Sequence, residues 1–190
     1  MPRAGLDEAT VIDRAAQILD DPAADGLNLA VLAESLGVRA PSLYKHVDGM
    51  PGLYRGITLR AKTDLARALG QAAIGRSRDD AIRALSLAYR KWAVEHPGQY
   101  PLTVRSAPAS EDPEDSRVSS VLVEVIYDVL AGYDLRGDDA VDATRFLRSA
   151  LHGFVDLETR GGFQLPVDRE RSFARLIESV VTALATWSDA

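Results

Sequence analysis

Residues 28–47 read NLAVLAESLGVRAPSLYKHV. Leu29, Leu32, Ala33 and Leu36 recur at helical spacing and stop at Gly37, a residue suited to the left-handed backbone of a helix end. A second short helix follows at once. Pro41 falls in its first turn, where a fixed φ helps and a missing N–H costs nothing, and Leu43 and Val47 give it one apolar face. Two short helices on a tight glycine turn describe a helix-turn-helix. Ala33 is small where the helices cross, and Leu32, Leu36, Leu43 and Val47 supply the shared core. The other face of the second helix is left to Arg39, Ser42, Tyr44 and Lys45, with Pro41 near its leading end. These side chains suit a major groove, offering donors for phosphates and base edges and a ring for a thymine methyl. Spacing alone leaves an ordinary helical hairpin as the alternative.

The flanks support a small helical domain. Asp7 is a good N-cap for a helix over 8–19, Leu6 can staple to Val11, and Val11, Ile12, Ala15, Ala16 and Leu19 form its inward stripe. Asp21-Pro22 ends that helix. Asn28 caps the next one, with Leu27 and Leu32 in the same staple relation. Downstream, Asp48-Gly49 makes a turn and Pro51 opens a long helix to about residue 73, with Leu53, Ile57, Ala61, Leu65 and Leu69 on one side.

Composition narrows the chemistry. The 190 residues contain no cysteine, which excludes disulfides and thiolate catalysis, and the three histidines, at 46, 96 and 152, form no metal-ligand motif. No apolar run approaches a membrane span and the first residues lack the order of a secretory signal, so the expected compartment is the cytoplasm. The net charge is −6, and residues 1–62 carry −1 of it, so there is no general basic surface. Attraction to DNA must come from placed charges such as Arg3, Arg39, Lys45 and Arg55, and from helix N-termini.

Beyond the long helix the periodicity predicts a helix over 80–95 carrying Ile82, Leu85, Tyr89 and Trp92 and ended by His96-Pro97-Gly98. A helical turn near 101–106 and a solvated acidic loop over 107–116 follow. Three further helices are expected over 117–131, 138–158 and 168–187, giving an all-α chain of about nine helices. In the last of them Phe173, Ile177, Val180, Leu184 and Trp187 alternate by four and three, a helix-pairing seam. Tyr89, Trp92, His96, Tyr100, Phe146 and His152 are either ordinary core or the lining of an apolar cavity with a few polar groups.

The segment Gly37-Val38-Arg39-Ala40-Pro41-Ser42-Leu43-Tyr44-Lys45-His46-Val47 resembles the recognition-helix signature of the tetracycline-repressor (TetR) family. Leu151-His152-Gly153 resembles the Trp-His-Gly tripeptide of one of its subgroups, with leucine in place of tryptophan; Ala88-Tyr89 through His96-Pro97 and Tyr100-Pro101 resemble that subgroup as well. The resemblance implies a DNA-binding domain over 1–49 and a regulatory domain over 50–190. It implies a repressor released by a small molecule and bound to a palindromic operator as a homodimer. The DNA-binding set is then Asn28, Arg39, Ala40, Pro41, Ser42, Tyr44, Lys45 and His46, with Tyr44 and His46 at phosphate and groove and Lys45 setting specificity. The seam on the last helix has two readings, closure of the monomer's own core or half of a four-helix dimer interface, and the resemblance favours the dimer. Met50 stands where the family usually carries a phosphate-binding lysine. No cofactor is implied beyond an unidentified effector. Two rival classes remain: a helical scaffold that has lost DNA binding, and an enzyme. The enzyme lacks a nucleophile elbow, a phosphate loop and a zinc motif.

Overall fold

A computed structural model describes residues 6–105 and 110–187; Arg3 lies outside them. Among the described residues there are nine α-helices, one 3-10 turn and no strand. The helices are α1 (Glu8–Asp20), α2 (Leu29–Ser35), α3 (Ala40–Leu43), α4 (Gly49–Ala73), α5 (Arg78–Glu95), α6 (Tyr100–Thr103), α7 (Pro113–Leu130), α8 (Gly137–Thr159) and α9 (Arg169–Ala185). No described helix is long and apolar enough to cross a membrane. Two compact units share the chain: Met1–Lys62 with His96–Ser116, and Thr63–Glu95 with Arg117–Ala190.

In the first unit local chemistry starts the helices where the sequence says. The Asp7 carboxylate accepts the Thr10 amide at 2.7 Å, and the Asn28 side chain accepts the amides of Ala30 and Val31 at 3.0 Å. Val11, Ala15, Ala16, Leu32, Ala33, Leu43, Val47, Leu53 and Ile57 form one buried cluster, so α1 to α3 and the first half of α4 share a core. Gly56 lets α4 approach α1, since a Cβ there would overlap the Ile12 side chain.

Of the loop expected over 107–116, residues 107–109 lie outside the described residues and 110–112 are non-helical, but the acidic stretch from 113 onward is helix. Helix α7 begins at Pro113, and the Asp112 carboxylate caps it by accepting the Asp115 amide at 3.0 Å. Three of the acids are ion-paired: half-buried Asp112 and exposed Glu114 bind Arg55 at 2.6 and 2.8 Å, and buried Asp115 meets fully buried Lys62 at 2.5 Å. Ion pairing and a proline at the first helical position outweigh the loop-like composition.

In the second unit α5, α8 and α9 pack on one another. Ile82, Leu85, Leu147, Leu151, Val155, Phe173, Ile177, Val180 and Leu184 are all buried. Arg90 of α5 ties the three together. Its guanidinium meets Glu158 at 2.7 Å and Glu170 at 2.6 Å, and lies 4.9 Å from the Phe173 ring centre.

Candidate nucleic-acid interface

The turn of the helix-turn-helix is built by Gly37, whose φ of +67° no β-carbon residue adopts cheaply. The Gly37 amide donates to the Glu34 carbonyl and the Val38 amide to the Ala33 carbonyl, both at 3.0 Å, which closes α2 and redirects the chain. Arg39 then occupies the N-cap of α3 in extended conformation, with Pro41 in the first turn. The α-helix itself is only Ala40–Leu43. The His46 and Val47 amides still return to the Leu43 carbonyl at 2.9 and 3.0 Å, so the helical course carries through Tyr44 and Lys45 as turns. Leu43 and Val47 are buried against Leu32 and Ala33, which fixes the face that α3 turns outward.

That face carries the predicted residues. Arg39, Pro41, Tyr44 and Lys45 are exposed, Ala40, Ser42 and His46 are half-buried, and Tyr44 keeps 64% of its surface open. An aromatic ring left this exposed gains nothing from the fold and is suited to contact something else. Asn28, also exposed, spends its side-chain oxygen on the α2 cap. His46 faces the start of α1: the Asp7 carboxylate, held below its usual range chiefly by its hydrogen bonds to Thr10, also feels the His46 ring.

One expectation around this face changes. Arg55 is not a spare charge for phosphate. Asp112 and Glu114 occupy its guanidinium, push its pKa up and hold the Asp112 carboxyl down at about 2. Met50 is partly buried against the helix-turn-helix core, so its thioether packs where a lysine would have pointed a charge.

The proposed ligand set is divided between the two units. Half-buried Tyr89 and His152 and buried Trp92 lie in the second unit. His96 and Tyr100 belong to the first. His96 Nδ1 lies 2.8 Å from the Asp20 carboxylate, and Tyr100 is buried at the start of α6. Phe146 is a surface residue, 36% exposed and stacked on Trp187 with ring centres 5.4 Å apart. Sequence reading missed Ser86 of α5 and Thr144 of α8, whose hydroxyls are buried without a hydrogen-bond partner.

The seam on α9 also needs correction. Phe173, Ile177, Val180 and Leu184 are each at most 3% exposed within a single chain. They close the second unit's own core and are not available to a partner; of the seam, only Trp187 is half-buried. The outward face of α9 instead carries Ala174, Arg175, Glu178, Ser179 and Thr182. On α8, exposed Phe146, Gly153 and Leu157 with half-buried Ala150 make a second outward stripe at helical spacing.

Residues 82–180 match the family described as tetracyclin repressor-like, C-terminal domain. An uncharacterized HTH-type transcriptional regulator of Mycobacterium tuberculosis is 37% identical over 158 residues, covering 83% of this chain and 72% of the relative. One of Bacillus subtilis is 31% identical over 96% of this chain and 95% of its own length. Among solved structures, the Streptomyces coelicolor TetR family protein ActR in complex with actinorhodin superposes with a TM-score of 0.71 at 17% identity, covering 96% of this chain and 97% of that one.

Proposed function

The chain belongs to the TetR family of DNA-binding transcriptional regulators, and we propose that it is a ligand-released repressor acting on a palindromic operator as a homodimer. The observation that carries the reading is the outward face of α3. There Arg39, Tyr44 and Lys45 stand exposed on a helix whose opposite side is locked into the core by Leu43 and Val47. Arg39 and Lys45 supply charge-assisted bonds to phosphates or base acceptors, Tyr44 an apolar ring with a hydroxyl, and Ser42 a second hydroxyl. With the wider surface acidic, these few cations carry the electrostatic part of binding.

Two copies are needed because one α3 reads only a few base pairs. A dimer sets two of them about 34 Å apart, one helical turn, to match a two-fold site. We assign that contact to the outward stripes of α8 and α9, the buried seam being already used. The effector is assigned to the α5–α8 layer, where Tyr89, Trp92 and His152 supply apolar and polar lining and the Ser86 and Thr144 hydroxyls await partners. A small molecule that prefers the non-binding arrangement releases the operator by no more than its differential affinity for the two states. Leu151, buried where the subgroup's tryptophan would stand, gives this layer its own shape. The role is regulatory rather than catalytic, and the place of action is the cytoplasm.

A mobility-shift assay with duplexes tiled upstream of the chain's own gene, at stated salt and with candidate small molecules, tests the reading. Binding confined to a palindromic duplex is expected; no shift at low salt on any duplex refutes it. A helical scaffold would give that second result.

A further inference from the structure

We infer that Asp20 and Gln99 are positioning residues for operator recognition, members of a closed side-chain network that holds the helix-turn-helix on the segment following α5. The inference rests on the DNA-reading role proposed above for α3.

Asp20 is the last residue of α1. A carboxylate there opposes the negative end of the helix dipole, so it needs donors from elsewhere. It has them from one short segment, 96–99. Asp20 Oδ1 accepts the Gly98 amide at 2.9 Å and the Gln99 amide at 3.0 Å, and Oδ2 meets the Gln99 side-chain amide at 2.5 Å and His96 Nδ1 at 2.8 Å. Gly98 is required for this approach, because a Cβ there would overlap the Leu19 carbonyl oxygen.

The network then returns to α1 by another route. Gln99, 3% exposed, accepts from Arg60 Nη1 of α4 at 3.2 Å, and Arg60 Nε binds Asp13 of α1 at 2.5 Å. Helix α1 is thus held at its middle, through Asp13, and at its C-terminal end, through Asp20, by groups outside the three-helix domain. Val11, Ala15 and Ala16 share one core with Leu32 and Leu43, so whatever shifts α1 carries α3 with it. The network touches none of the DNA-facing side chains. Its loss should leave the domain folded and the recognition helix free to take other placements, which lowers discrimination more than general attraction to phosphate.

The test uses the full chain with Asp20→Ala, Asp20→Asn and Gln99→Ala. Binding is measured to a duplex that the unaltered protein selects and to a scrambled duplex of equal length, at one salt concentration and well below melting. Asp20→Ala and Gln99→Ala are expected to weaken binding to the selected duplex tenfold or more, with the scrambled duplex within twofold. Asp20→Asn should regain part of the loss, because its amide oxygen still accepts the Gly98 and Gln99 backbone amides while its NH2 opposes the Gln99 side-chain amide. By reciprocity, the selected duplex should slow hydrogen exchange over 96–99 in the unaltered protein and not in Asp20→Ala. Asp20→Ala within twofold of the unaltered protein on both duplexes, or equal losses on both, overturns the inference alone. An unaltered protein that selects no duplex overturns the DNA-reading role and the inference with it.

Discussion

The Lys62–Asp115 pair predicts an asymmetry between one substitution and two. Lys62 is 1% exposed and its partner side chain 8%, with 2.5 Å between Nζ and Oδ1. At an effective dielectric near 20 the attraction at this separation is about 6–7 kcal/mol. Removing two ions from water costs several kcal/mol each, so the intact pair contributes little net stability. Asp115→Ala removes the attraction and leaves the ammonium buried, a loss of about 3–5 kcal/mol. Adding Lys62→Met removes the buried charge and keeps most of its volume. The double variant is expected within about 1–2 kcal/mol of the parent, the remainder being a small cavity and the lost acid in the first turn of α7. Urea unfolding at pH 7 measures both, with equal m-values as the check that one transition is compared. A double variant as unstable as Asp115→Ala would show that the cost lies in packing or capping and that the buried charge is not the reason.

The other predictions are simpler to read. Arg90→Met leaves Glu158, 9% exposed, without its guanidinium and is expected to cost roughly 3–5 kcal/mol in the same unfolding assay. Lys45→Ala should weaken operator binding by ~1–3 kcal/mol and relax preference at one position if the ammonium reads a base, or weaken all sequences alike and flatten the salt slope by about one if it meets phosphate. The Asp112 carboxyl, held at about 2 in the folded chain by Arg55, stabilises α7's start above its ordinary value of 3.8. That contribution is lost as pH falls from about 4 through 2, so acid titration followed by hydrogen exchange should expose the 112–116 amides in that window, and Arg55→Gln should move the opening upward.

What could be read from the chain follows the range of the interactions involved. The helix-turn-helix was legible because its determinants are local: Asp7 and Asn28 cap within three residues, Gly37 supplies the positive φ, and Leu32 and Leu43 lie only eleven residues apart. The start of α7 was not, although Asp112-Pro113 is a cap followed by a proline at the first helical position, since Arg55 and Lys62 lie more than fifty residues away. Periodicity on α9 correctly marked Phe173, Ile177, Val180 and Leu184 as one face, but a period says that a face is buried and not what covers it. His96 looked like pocket lining for the same reason, its partner Asp20 being 76 residues distant. One signal was there to be used: an aspartate at the end of a helix, against the dipole, announces donors elsewhere in the fold.

The central claim, that two copies of α3 read a two-fold DNA site, is tested most directly by hydroxyl-radical footprinting of a bound duplex near physiological salt. Two protected patches are expected on one face of the duplex, centred about one helical turn apart, both lost when Arg39, Tyr44 and Lys45 are replaced by alanine in a chain that melts normally. A single patch, uniform protection, or protection that survives those replacements would contradict it.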